Sequence, residues 1–273
     1  MILAQITDPH IKEDRKLAYG LVDTAAYLER TVEHLNAFAP EIQAVMVTGD
    51  LTDRGDPEEY AAIHPILSKL RMPFYVLPGN HDDRGNLVRA FCDHEYLSDV
   101  TEFVQYVLEE FPIRLIGLDS AVTGEPYGYL CPDRLAWLDH CLSEDPRKPA
   151  MLFLHHPPFE TGIGHMDVQS LQNPDDLFDV LARHPQVRHV ACGHVHRAIE
   201  TCINGVALST APNAAHSVTL DLSPGGSSSF TMDPPAVRIF RIDGNCNVIT
   251  HLSFIGRFDG PHPFYAADGS LVD

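Results

Sequence analysis

Short apolar runs that end in polar, metal-capable residues recur along this chain. Ile2-Leu3-Ala4-Gln5-Ile6 leads into Thr7-Asp8-Pro9-His10, and Ala44-Val45-Met46-Val47 leads into Thr48-Gly49-Asp50. Phe74-Tyr75-Val76-Leu77 precedes Pro78-Gly79-Asn80-His81, Met151-Leu152-Phe153-Leu154 precedes His155-His156-Pro157, and His189-Val190-Ala191-Cys192 precedes Gly193-His194. Runs of this length read as buried strands feeding loops. Between them, residues 25–38, 57–70, 133–142 and 175–183 carry helical patterning, with Pro65 expected to kink or divide the second. Strand alternating with helix predicts an α/β architecture. In such sheets the loops at the carboxyl ends of strands can carry polar groups without burying them, so sites collect there. Residues 113–119, 203–209 and 236–242 read as further strands, residues 223–229 as a Pro/Gly/Ser-rich loop, and residues 260–273 as a tail crossing the surface.

Composition narrows the partners. At 273 residues with 44% hydrophobic and 21% charged residues, the chain can bury a sizeable core and reads as one main domain with an appendage. A formal charge of −19, from 19 Lys plus Arg against 38 Asp plus Glu, would repel a nucleic-acid polymer. Divalent cations bound at a site would reverse that field locally for a small phosphate ester. Six cysteines are scattered without a C-x-x-C pair, which predicts mostly buried thiols rather than a zinc knuckle or a disulfide framework. The opening MILAQITDPH lacks the pattern of a secretory signal and no long apolar run occurs, so the expectation is a cytoplasmic protein with no membrane partner.

The chemistry is concentrated in Asp8-Pro9-His10, Gly49-Asp50-Leu51-Thr52-Asp53-Arg54-Gly55, Gly79-Asn80-His81-Asp82, His155-His156-Pro157-Pro158 and Gly193-His194-Val195-His196. Carboxylate and amide oxygens with imidazole nitrogens suit Zn, Mn or Fe(II), and the lack of thiolates in the set disfavours a purely structural zinc site. In extended backbone Asp-x-His and His-x-His throw alternate side chains to one side, so both can reach one small volume. Taken singly, Asp8 also reads as a capping or turn carboxylate, Asn80 as an ordinary Gly-Asn turn, and His155 or His194 as a hydrogen-bonded histidine at a strand end. Their occurrence together, each after an apolar run, favours a site.

These segments resemble the calcineurin-like metallophosphoesterase superfamily, whose ordered pattern D-x-H, G-D-x-x-D-R, G-N-H-D, H-x-P and G-H-x-H is present over roughly residues 1–210. The nearest likeness is to bacterial class III cyclic nucleotide phosphodiesterases and related glycerophosphodiesterases. The resemblance implies a two-layer β-sandwich flanked by helices, with residues 1–210 as catalytic core and 211–273 completing the sandwich and adding a small cap and oligomerisation segment. It also implies two divalent metal ions, Fe, Mn, Zn or Co. Asp8, His10 and His196 would hold one ion, Asn80, His155 and His194 the other, and Asp50 would bridge them.

Paired ions about 3.5–4 Å apart can acidify a water and align the resulting hydroxide with phosphorus. His81, next to Asn80, is the candidate to donate a proton or hydrogen bond to the leaving alcohol or a phosphoryl oxygen, or else only positions Asn80. The resemblance places Asp53 to orient His81, although Asp53 can equally pair with Arg54 or cap the next helix. It places His216 as a substrate contact, against an ordinary exposed histidine. His156 and Asp82 read as partners that orient ligands or as solvated loop residues, and Trp137 as a core-packing residue. The function expected is hydrolysis of a small phosphodiester, a cyclic nucleotide or a glycerophosphodiester. The alternatives are a phosphomonoesterase or protein phosphatase on the same core, and a non-catalytic binding module, which would be expected to have lost ligands. The aromatic and proline-rich C-terminus suggests a homo-oligomer.

Overall fold

The computed structural model describes residues 1–272. In chain order it contains β1 (Ile2–Ile6), α1 (Thr24–Asn36), β2 (Ala44–Thr48), α2 (Pro57–Leu67), β3 (Phe74–Leu77), α3 (Arg84–Ala90), β4 (Tyr106–Leu108), β5 (Arg114–Gly117), α4 (Pro132–Glu144) and β6 (Ala150–Leu154). It continues with α5 (Gly164–Asp167), α6 (Pro174–Arg183), β7 (Val187–Cys192), β8 (Ile199–Ile203), β9 (Val206–Thr210), β10 (Ser217–Val218), β11 (Phe230–Thr231), β12 (Ala236–Ile242) and β13 (Val248–Phe254). One sheet has the order β13-β12-β1-β2-β3, a second β4-β5-β6-β7-β9-β8, and β10 and β11 form a separate small hairpin.

Within the first sheet β1, β2 and β3 run parallel, with Leu3 opposite Ala44 and Val45 opposite Phe74, while β12 lies antiparallel against β1. In the second, β5, β6, β7 and β9 run parallel. The two sheets pack face to face. Met151 and Phe153 of β6 join the core shared with Leu3, Val45 and Phe240, whereas Leu152 and Leu154 point the other way, toward Leu138 and Leu142 of α4 and Leu177 and Leu181 of α6. Helices α1 and α2 cover the far face of the first sheet through Leu28, Val32, Leu35 and Ile63. With both faces covered, β2, β3 and β6 are buried at every position, the continuous apolar runs seen in the sequence. Trp137 packs against the outer core as expected. No helix among the described residues is long and apolar enough to cross a membrane.

Several expectations need correction. Residues 203–209 are not one strand. Asn204 and Gly205 adopt φ of 52° and 82° and turn the chain between β8 and β9, as an Asn-Gly pair does in a tight hairpin. Pro65 does not divide α2, which runs through it and ends at Leu67, because a proline that close to the C-terminal end disturbs only the last turn. Of the six free thiols, only Cys141 and Cys192 are buried. Strand β13 went unread because it is an edge strand with Thr250, His251 and Ser253 among its apolar residues.

A candidate two-metal centre

The parallel strands β1, β2, β3, β6 and β7 all end immediately before the residues of interest, and their loops meet at one end of the sandwich. The buried Gln5 ties the sheets together there, its amide donating to Thr48 Oγ1 and to the Cys192 carbonyl, both at 2.9 Å. The loops after β1, β2 and β7 turn sharply. Asp8, His10, Asp50, His194 and His196 have φ of 55°, 44°, 48°, 70° and 55°, the left-handed region that costs a non-glycine residue on the order of 1–3 kcal/mol. Surrounding hydrogen bonds hold that strain, among them Asp8 N–H to the Gly49 carbonyl at 3.0 Å, His10 N–H to the Asp50 carbonyl at 2.9 Å and His194 N–H to Asp8 Oδ2 at 3.0 Å.

The glycine before each of three key residues has a steric reason. A Cβ on Gly49, itself at φ 90°, would stand 2.3 Å from Nδ1 of His155. One on Gly79 would stand 2.2 Å from Asp50 Oδ1, and one on Gly193 2.0 Å from Thr7 Oγ1. These glycines let the loops close to van der Waals contact.

Seven side chains converge as a result. His10 Nε2 and His196 Nε2 are 3.2 Å apart, and His196 Nε2 is 3.4 Å from Asp8 Oδ1. His155 Nε2 lies 3.2 Å from both Asn80 Oδ1 and His194 Nδ1. Asp50 Oδ2 faces both groups, 3.6 Å from His10 Nε2 and 3.4 Å from His155 Nε2. Asp8 Oδ1 is buried without a hydrogen-bond partner. Lone-pair donors that face one another at these separations fit cations, and the buried His/Asp groups fit a binuclear metal site.

Electrostatics agree with a cation-seeking centre. Burial pushes the Asp8 carboxyl up, but His196 and His155 overcome it and hold the value at about 2. Burial likewise opposes ionisation of Asp50, and His155 and His81 bring its pKa well below the ordinary value. For His155, burial favours the neutral ring, yet Asp50 and Asp8 raise its pKa to about 9. Burial lowers His194 to about 3, leaving a neutral ring. Metal binding at such a cluster displaces protons.

Around this core the structure places the remaining predicted residues. An open cavity of about 660 Å³ is lined by His10, Asp50, Asn80, His81, His194, His196 and His216, with Asp8 and His155 buried beneath its floor. His81 packs edge-on against His10, with ring centroids 4.8 Å apart, and its Nδ1 meets the backbone carbonyl of Asp53 at 2.7 Å. The Asp53 carboxylate pairs with Lys12 and makes no hydrogen bond to the His81 ring, acting on it through charge, so the hydrogen bond that holds His81 to Asp53 is the one to its main chain. His216 is only 2% exposed, not the surface histidine weighed as its alternative, and its ring stands 4.7 Å from that of His196. His156 lies behind the centre, with Nδ1 2.9 Å from Ser120 Oγ. Arg84 is engaged elsewhere, its guanidinium forking onto Asp119 at 2.7 and 2.9 Å.

Asp82 turns out to be a hub. Its carboxylate accepts from Leu51 N–H, Gly79 N–H, Thr52 Oγ1 and Tyr60 Oη at 2.8–3.2 Å, fastening the Asp50 loop to the Asn80 loop. Burial and the nearby Asp50 charge raise its pKa to about 6. Two residues were not singled out from the sequence. Asn213 donates to the Asp8 carbonyl at 2.5 Å and lies 3.3 Å from His196 Nδ1, while Tyr19 packs edge-on against His216 and tilted against Phe230 on the cavity wall. Neither belongs to a metal-ligand pattern. The Asn-Ala-Ala-His run after β9 was the only available signal.

A sandwich of two mixed sheets with a buried carboxylate and imidazole cluster at its strand ends defines the class of metal-dependent phosphoesterases. The chain belongs to the calcineurin-like phosphoesterase family, whose model matches residues 1–198. It is 43% identical to a probable glycerophosphodiester phosphodiesterase, GpdQ, of Arcobacter nitrofigilis over 100% of both chains. It is 35% identical to a probable cyclic nucleotide phosphodiesterase of Rhodopseudomonas palustris, over 94% of this chain and 93% of that one. In fold it is similar to a dimetal phosphatase from Danio rerio, with a TM-score of 0.63 at 15% identity over 92% of this chain and 98% of the other.

Proposed function

We propose that this chain is a metal-dependent phosphodiesterase of small diesters, with glycerophosphodiesters as first substrate class and 3',5'-cyclic nucleotides as second. The observation that carries the reading is the convergence of seven oxygen- and nitrogen-bearing side chains, separated by 3.2–3.6 Å, at the floor of an open cavity. The full-length similarity to a glycerophosphodiesterase sets the order of the two classes. Asp8, His10 and His196 would hold one ion, Asn80, His155 and His194 the other, with Asp50 between them. The mixed O/N donors accept Mn, Fe, Zn or Co. When bound, the pair would supply Lewis acidity at a phosphoryl oxygen and acidify water toward neutral pKa.

The chain's own residues do the rest. His81, anchored through Nδ1 on the Asp53 carbonyl, is turned toward the cavity to give a hydrogen bond or proton to the departing alcohol. His216, Tyr19 and Phe230 form an aromatic wall against which that alcohol can lie. Val218, Ser228, Ser229 and Phe230 bring the β10–β11 hairpin and its loop over the mouth.

The test compares bis(para-nitrophenyl) phosphate with para-nitrophenyl phosphate on metal-stripped protein resupplied with Mn(II), followed by glycerophosphocholine and cyclic AMP. The expected result is metal-dependent diester turnover that falls on the order of 10²-fold in His81→Ala with metal content retained. A monoester preference would make the protein a phosphatase, and no metal-dependent turnover of either ester would leave a binding module. The same reading includes a homo-oligomer seated on the C-terminal apolar residues, since Phe254, Phe258 and Phe264 are 50%, 63% and 83% exposed. Light scattering that returns a monomer at working concentration would overturn that part.

A further inference from the structure

A second group of metal-capable side chains lies outside the cavity and outside every motif described above. His64 stands in the last turn of α2, and Asp93 and His94 follow α3. Asp93 Oδ1 is 3.7 Å from Nε2 of His64 and 3.9 Å from Nε2 of His94, and the three atoms all lie within 4.8 Å of one another. These separations exceed a hydrogen bond, so three lone-pair-bearing atoms face a common gap without bonding across it.

The imidazoles are held in place. The His64 ring packs 5.2 Å from that of Phe91, and the His94 ring lies 4.7, 5.8 and 5.6 Å from those of Phe74, Phe91 and Tyr96. Ser68 Oγ stands 3.4 Å from Nδ1 of His64, on the side of the ring away from Asp93. An outer partner on the far nitrogen of a ligating histidine is the usual arrangement around metals.

We propose that His64, Asp93 and His94 form a site for a single transition-metal dication of the zinc or nickel type, clasping α2 to the segment that follows α3. Ligands about 2.0–2.1 Å from a tetrahedral zinc stand roughly 3.3 Å apart. The two gaps to Asp93 close to that by a small swing of its carboxylate, which is 66% exposed, and the two imidazoles, with ligand atoms within 4.8 Å of each other, approach by a turn of the 31% exposed His64 side chain. Two imidazoles and one carboxylate leave the fourth position to water. The site is independent of the phosphodiesterase reading, because none of its residues lines the cavity.

The experiment counts metal. Holoenzyme reconstituted with zinc is dialysed against low-micromolar zinc, and its zinc content is measured for the wild type, Asp93→Asn and His64→Gln. Each variant is expected to hold one zinc fewer per chain while diester turnover is unchanged. Added zinc should also raise the melting temperature of the wild type but not that of Asp93→Asn. The Asp93 side chain is exposed, so this second readout stands even if His64→Gln fails to fold. Equal zinc content in wild type and Asp93→Asn overturns the proposal. So does a variant in which turnover is lost together with the ion, since the missing zinc would then belong to the catalytic centre.

Discussion

Asp50→Asn should reduce diester turnover on the order of 10³-fold or more and strip at least one metal from the protein, while leaving the fold intact. The substitution is nearly isosteric. Oδ1 of Asp50 accepts the main-chain N–H of His81 at 2.9 Å, and an asparagine carbonyl can keep that bond. What disappears is the negative charge that Oδ2 presents to the His10 and the His155 imidazoles at 3.6 and 3.4 Å. Asp50 presents one oxygen to both halves of the cluster, and Asp8, which also does so, stands farther from His155 at 3.9 Å, so loss of the Asp50 charge weakens the link between the halves. Atomic emission for metal content, circular dichroism for fold and turnover at saturating Mn(II) make the check. An asparagine variant that keeps two metals and turns over within about ten-fold of wild type would remove Asp50 from the bridging position.

Gly49→Ala should be among the most damaging single methyl groups in the chain, costing roughly 2–4 kcal/mol of stability and emptying the metal centre. Two penalties coincide at this position. The backbone sits at φ 90°, which an alanine resists, and its Cβ would meet His155 Nδ1 at 2.3 Å and the Gly79 main-chain nitrogen at 2.8 Å. His155 cannot step aside, because Nδ1 already meets the Thr48 carbonyl at 2.8 Å and the ring is fully buried. Denaturant unfolding with and without added Mn(II) measures both effects. An unfolding free energy within about 0.5 kcal/mol of wild type would mean the loop can relax around a side chain.

How far the sequence could be read depends on what each signal encodes. Strands β2, β3 and β6 were legible because burial on both faces writes a nearly continuous apolar run, β1 and β7 through shorter apolar stretches broken by Gln5 and by Arg188-His189, and the residues after them because few other chemistries need Asp, Asn and His in that order. Strand β13 was not, since an edge strand in contact with water need not be apolar. The β8–β9 hairpin was missed although Asn204-Gly205 states it, because the apolar residues on either side were merged into one run. The part of Asp53 that meets His81 is a carbonyl, and every residue has one, so no side-chain pattern could reveal it. Tyr19 and Asn213 belong to the same category, being brought to the cavity by the path of the chain between elements.

The Asp82 carboxylate has a bearing on how this scaffold could be rebuilt. It gathers main-chain donors from the loops after β2 and β3 and a hydroxyl from α2, so these three pieces of residues 50–82 are knotted to one another through a single side chain. An exchange that removes the Thr52 or Tyr60 hydroxyl while keeping Asp82 would leave a buried carboxylate short of donors. Exchanging the whole segment, with Tyr60 and Asp82 travelling together, carries its own scaffolding along. Variation meant to retune substrate choice is therefore better spent on the β10–β11 hairpin and Tyr19, which border the cavity without sharing that knot.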